Sequence, residues 1–153
     1  MVAYILSEDW GRILVVRVRI RIKSRFGGEV VTSALVNSGF EAETPQLLIP
    51  RTLAARLGMW PPPLEAQLIE VGTAGGPVRN YFIPRAAEVY VETEDRRVGP
   101  VECDIMISLL EHEVLISDVL GDELSIVILS LRGKWRFSDE EKIRLTEPPQ
   151  YWF

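Results

Sequence analysis

The chain reads as an all-β domain with one or two short helices, and three observations point there. Val16, Val18, Ile20 and Ile22 alternate with Arg17, Arg19, Arg21 and Lys23, a period of two that makes a strand with one buried face. Glycine pairs recur between apolar runs, at Gly27-Gly28 and Gly75-Gly76, as hairpin turns require. Helix signals are confined to two short windows, one opened by Pro50 and closed by Gly58, the other capped at Ser117-Asp118.

The bulk numbers suit one folded domain. The length is 153 residues with 47% hydrophobic, enough for a sizeable core and too apolar for a disordered chain. A net charge of −5 argues against nucleic acid as a partner. Cys103 and His112 are single, so neither a disulfide nor a thiolate- or histidine-rich metal site is expected, and no cofactor. His112, between Glu111 and Glu113, reads as an exposed turn. No apolar run approaches the roughly 20 residues that cross a bilayer. The N-terminus lacks a signal-peptide pattern, so the expected location is cytoplasmic, with no membrane partner.

Taken in order, Val15–Lys23 is the first strand. Its cationic face reads as solvated surface that also discourages edge aggregation. Arg25 to Gly28 turns the chain and Glu29–Val36 returns, ending in the apolar Ala34-Leu35-Val36 of a strand covered on both faces. Asn37-Ser38-Gly39 comes next as a tight polar turn. After a loop holding Glu41 and Glu43 comes a helix from Pro50 to Leu57, then Trp60-Pro61-Pro62-Pro63 as a stiff extended connector. Leu64–Val71 and Val78–Pro84 form a second hairpin with a small-residue tip, Thr73 to Gly76. Its glycines lack phosphate-loop spacing. Ala86–Glu92 and Gly99–Leu109 are further strands, and Cys103 shares an apolar face with Val101, Ile105 and Ile107, which reads as a small buried residue. Val114 to Ile116, a helix over Val119–Glu123, a strand over Leu124–Leu131 and a return over Trp135–Phe137 complete the domain, 1–137. The tail, 138–153, ends in Tyr151-Trp152-Phe153. Full burial of such aromatics is worth about 1.5–3 kcal/mol each, so they are expected to pack on the domain or on a partner subunit.

The order of these elements resembles the retropepsin-like aspartic protease family over roughly residues 12–137. Ala34 to Gly39 falls where that family carries its strand-end Asp-Thr/Ser-Gly triplet. Ile49-Pro50 to Leu57-Gly58 resembles the next segment of the family pattern, and Val71 to Val78 the flap. Val114 to Leu120 resembles the second motif, with Ser117 where a glycine is usual, and Leu124 to Ile128 with Trp135 to Phe137 the closing strands. The resemblance implies an acid-protease half-barrel closed as a homodimer, in which each subunit gives one Asp and the two carboxylates share a proton. At the decisive position this chain has Asn37, so no catalytic residue is intact: Asn37, Ser38 and Gly39 mark a degenerate dyad position. The implied binding residues are Asn37 and Gly39 with the flap tip Thr73, Ala74, Gly75 and Gly76.

The expectation is a catalytically inactive homologue that pairs with itself and holds a peptide or protein in the cleft. Two alternatives stay open. One is an active peptidase, either with an engineered Asn37 or with Glu41 or Glu43 reaching a rearranged dyad. The other is a structural or assembly module contacting partners through its aromatic tail.

Overall fold

The computed structural model describes residues 15–37, 39–130 and 132–153. Among these described residues, ten strands and two six-residue helices occur in the order β1 (Val16–Ser24), β2 (Glu29–Val36), β3 (Gln46–Pro50), α1 (Arg51–Arg56), β4 (Gln67–Thr73), β5 (Gly76–Glu92), β6 (Arg97–Ser108), β7 (Val114–Ile116), α2 (Asp118–Glu123), β8 (Ile126–Ser130), β9 (Lys134–Phe137) and β10 (Arg144–Leu145). The main sheet runs β1-β2-β7-β3-β6-β5-β4, and β5 also pairs with β1, which closes a six-stranded barrel and leaves β4 as its flange. Closure removes the open edges that such strands would otherwise present. The smaller sheet is β10-β9-β8. Among the described residues, no helix is long and apolar enough to cross a membrane.

The period-two stretch does what its pattern requires. Val16, Val18, Ile20 and Ile22 are buried in the barrel with Cys103, Ile105, Ile107, Val114 and Ile116. Burial pushes the Cys103 thiol up, so it is inert as a nucleophile at neutral pH. The cationic face is exposed or half-exposed at Arg19, Arg21 and Lys23, as the solvated reading expects, and departs from it at Arg17. Arg17 is buried, and its guanidinium bonds the equally buried carboxylate of Glu113. Glu113 therefore does not lie in an exposed turn, although His112 beside it is exposed. Arg21 is bound by Glu29 and Glu92, and Arg19 by Glu147. An arginine on the outer face of a barrel strand can still be buried when a later segment crosses it. Here that segment is 146–147, where Thr146 Oγ1 accepts from the Arg17 N–H and the Glu147 N–H donates to the Arg17 carbonyl.

The two strands expected over 78–84 and 86–92 are one 17-residue strand, β5. Its first half pairs with β4 and its second half with β1, so it carries the chain from the flange into the barrel. The break read at Pro84-Arg85 is real but local. The register against β6 shifts between Ile83 and Ala87, Arg85 has φ 46°, and its N–H is taken by Asp104 Oδ1 at 2.7 Å rather than by a ladder carbonyl. The connector 60–63 is a bend with a cis Trp60–Pro61 bond, not an extended spacer. In the tail, Arg144–Leu145 adds to β9 and Trp152 packs on the barrel with its indole N–H donated to Thr32 Oγ1 at 3.0 Å, whereas Tyr151 and Phe153 are exposed.

Candidate functional site

β2 and β7 run parallel and side by side, and both stop at the same level, Val36 opposite Ile116. The turns that leave the two strand ends are held by hydrogen bonds to each other and to β3. After β7, Ser117 is the N-cap of α2. Its buried Oγ accepts from the Leu120 N–H at 3.1 Å and from the Gln46 N–H at 3.0 Å. A hydroxyl is needed there because the helix start leaves donors that no carbonyl in the helix can take. Asp118 Oδ1 accepts from the Val119 and Ala42 N–H groups at 2.8 and 3.0 Å, and the Asp118 N–H donates to the Phe40 carbonyl. The loop after β2 is thus stitched to the first turn of α2. The helix sits on the strand ends at Gly121, where a Cβ would meet Val36 and Ile116 at ordinary van der Waals distances of 3.8 and 3.9 Å.

Asn37 directly follows Val36, the last residue of β2. Its N–H donates to the Ile116 carbonyl at 3.2 Å, and its carbonyl accepts from Phe40 at 3.0 Å. Its side-chain Oδ1 accepts from the Gly39 N–H at 2.9 Å. The amide nitrogen Nδ2 is buried and has no hydrogen-bond partner among the described residues. A buried donor left unmade costs about 1–3 kcal/mol, and Ser33 Oγ, Thr52 Oγ1 and Trp135 Nε1 are in the same position elsewhere among the described residues. Asn37 and Gly39 are therefore together, and Ser38 lies outside the described residues.

Beside this strand end, an outward apolar cluster of Leu35, Phe40, Leu48, Met106 and Leu115 is covered in part by Ile69, Val71 and Phe82 of the β4–β5 hairpin. An open groove of about 810 Å³ runs along the loop, lined by Glu41, Ala42, Glu43, Thr44, Gln46, Phe82, Asp104 and Asp118. Two of its four carboxylates serve the backbone. Asp118 holds Val119 and Ala42, and Asp104 accepts from the Arg85 N–H and from Thr44 Oγ1. Glu41 and Glu43 are on the groove wall, and Asn37 is not one of the residues lining it. The hairpin tip lies elsewhere. Thr73, Ala74 and Gly75 line a hollow of about 150 Å³ with Val78, Ser108, Leu110 and Glu111, so the tip faces the turn after β6. The tip is pinned internally by Thr73 Oγ1, which accepts from the Gly75 N–H at 3.2 Å and donates to the Gly76 carbonyl.

Asp104, Gln46 and Phe82 were not singled out by sequence reasoning. Each sits mid-strand or at a strand start, where only the three-dimensional pairing of β3 with β6 and of β5 with β6 shows that they share a wall. The capping role of Ser117-Asp118 was legible, but not their second use as anchors for 42–46. Among the described residues, no three His, Cys, Asp or Glu side chains converge as a metal site.

No protein-family model matches the chain. No curated protein matches it in sequence.

Proposed function

We propose that the chain is a catalytically silent, retropepsin-like module that pairs with a second copy and holds an extended peptide or protein segment in the groove beside the β4–β5 hairpin. The observation that carries this reading is Asn37. It follows an apolar strand that has a parallel neighbour, in a turn fixed on both sides, and its side chain presents a carboxamide already committed to the Gly39 N–H. Acid-protease chemistry needs two carboxyl groups sharing one proton, so that one activates water while the other protonates the scissile carbonyl. A carboxamide neither accepts that proton nor gives it. Losing a positioned base alone costs about 10²–10⁴ in rate, and here both halves of a pair would be lost.

Binding needs less than catalysis. The half-buried Ala42, Val71 and Phe82, which pack on the apolar cluster, offer side-chain contact, and the loop 41–44 offers polar groups for a neighbouring chain. Self-association is supported by the smaller sheet. Among the described residues the outer edges of β8 and β10 are unpaired, Leu129 is exposed, and Ile143 and Leu145 are 58% and 73% exposed.

The test is hydrolysis of a mixed peptide library between about pH 3 and 7, the range in which a shared-proton carboxyl pair titrates. The expected result is no cleavage by the unmodified protein and cleavage by Asn37→Asp. Cleavage by protein in which Asn37 is verified intact would overturn the reading.

A further inference from the structure

We propose that the bulge at Arg85 builds a binding site for a free basic amino acid, a molecule with one carboxylate and two cationic groups, in the hollow that Arg85 lines with Glu88 and Glu102.

The first observation is the backbone of Arg85. Its φ of 46° is a conformation that glycine adopts freely and that a β-carbon disfavours. Glycine would turn the strand equally well. An arginine there keeps an exposed guanidinium at a bulge at the cost of backbone strain, and strain of this kind collects at functional sites.

The second observation is the charge around it. Glu88 and Glu102 stand directly opposite each other on β5 and β6, both exposed, and like charges so placed repel. The cations nearby are engaged elsewhere. Lys23 is opposite Glu88 on β1, yet its Nζ lies 3.8 Å from Glu29 Oε1 and 5.2 Å from the centre of the Tyr90 ring. Arg25 meets Glu65 at 3.2 Å. Among the described residues, the side chains of Arg85, Glu88 and Glu102 are in no ion pair and no hydrogen bond. A solvated strand face requires neither a strained arginine nor two facing carboxylates. A ligand that answers their charges accounts for both.

Lys23, Arg25, Arg85, Glu88 and Glu102 line one hollow of about 220 Å³. Pockets for drug-sized molecules run from roughly 300 to 1,000 Å³, so the ligand is smaller than these. The uncommitted charges are one guanidinium and two carboxylates. Their complement is one carboxylate and two cations, the charges of free lysine, ornithine or arginine at neutral pH. The planar guanidinium of Arg85 takes the ligand carboxylate through two parallel N–H donors, and the ligand's ammonium groups relieve the repulsion between Glu88 and Glu102. None of these five residues lines the groove beside the β4–β5 hairpin, so the site stands apart from the proposed peptide binding.

The experiment is calorimetric titration of the purified full chain with L-lysine, and with three analogues that each lack one charged group: lysinamide, Nα-acetyl-lysine and leucine. Saturable one-to-one binding of lysine is expected, with each analogue weaker by about tenfold or more, as loss of one charged hydrogen bond implies. Arg85→Gly is expected to weaken lysine binding by a similar factor while raising the melting temperature, because glycine relieves the strain. A purely structural arginine would not move the two readouts in opposite directions. Glu88→Gln with Glu102→Gln should likewise weaken lysine binding, with the fold confirmed by the same thermal melt. Absence of saturable lysine binding, equal binding of lysine and any analogue, or unchanged affinity in either variant would overturn the proposal. So would a melting temperature that stays level or falls in Arg85→Gly.

Discussion

Replacing Arg17 with methionine tests what fixes the strand-end site in place. Arg17 and Glu113 are 4% and 1% exposed, and the guanidinium meets the carboxylate through two donors, Nε to Oε1 and Nη2 to Oε2, the latter at 3.3 Å. Glu113 immediately precedes β7, whose last residue, Ile116, receives the Asn37 N–H. The pair therefore anchors the start of the short strand that supports the site. Methionine fills similar space without charge and leaves the Glu113 carboxylate without its guanidinium. Breaking a buried pair by removing one partner costs about 3–5 kcal/mol. At about 2–4 °C per kcal/mol for a chain of this size, the melting temperature should fall by about 6–20 °C. The companion double variant, Arg17→Met with Glu113→Leu, should recover most of that loss, because the desolvation of both charges is removed together. Chemical denaturation of the four species gives the coupling free energy directly. A loss below about 1 kcal/mol in Arg17→Met, additive with the loss in Glu113→Leu, would refute the argument that this pair is a buried anchor.

Ser117→Ala removes one oxygen that accepts from both Leu120 and Gln46, so it should destabilise by about 1–3 kcal/mol, combining a lost cap with a second buried donor left unmade; an unchanged urea midpoint would refute this. The surface network at 95–96 and 139–144 should make the protein acid-labile. Asp95 is held well below the usual carboxylate range, first by Arg144 and then by Lys142. Asp139 is lowered chiefly by Arg96, and Glu140 chiefly by Arg144. Because the folded-state values lie below the unfolded ones, this stabilisation is present above about pH 4 and is lost as pH falls further. Thermal melts from pH 6 to 3 should show that loss, and Asp95→Asn should flatten it; equal slopes would count against the network.

Residues whose partners are near in the chain, or whose pattern is set by one face, were the legible ones. The hairpin of β1 with β2 is encoded by alternation and Gly27-Gly28, and the first turn of α2 by Ser117-Asp118. The barrel closure was not legible, because β5 pairs with β1 across 71 positions, Ile20 opposite Val91, and nothing local to either strand encodes that. The same holds for Arg17. An arginine between two buried valines has the local signature of a solvated face, and only Glu113, 96 residues on, makes its burial tolerable. The continuity of β5 through Pro84-Arg85 was hidden for a different reason. A residue at φ 46° and a proline both signal a break, and the strand survives because Asp104 supplies the acceptor that the ladder does not.

Position 37 shows how little separates a binding scaffold from a reactive one. The bonds that fix the residue come from its main chain and from Oδ1, all of which an aspartate would keep. The single difference is the second side-chain atom, a buried amide nitrogen with no acceptor among the described residues. An ionised oxygen in its place would be a buried charge supported by one bonded N–H on its neighbouring oxygen, an arrangement that raises the energy of a lone chain. It becomes tolerable when a second carboxyl group shares its proton, which is the same condition that makes the pair reactive. A neutral amide at position 37 adds no charge of its own to the strand end. The carboxamide thus keeps the loop geometry and forgoes the proton on which hydrolysis depends.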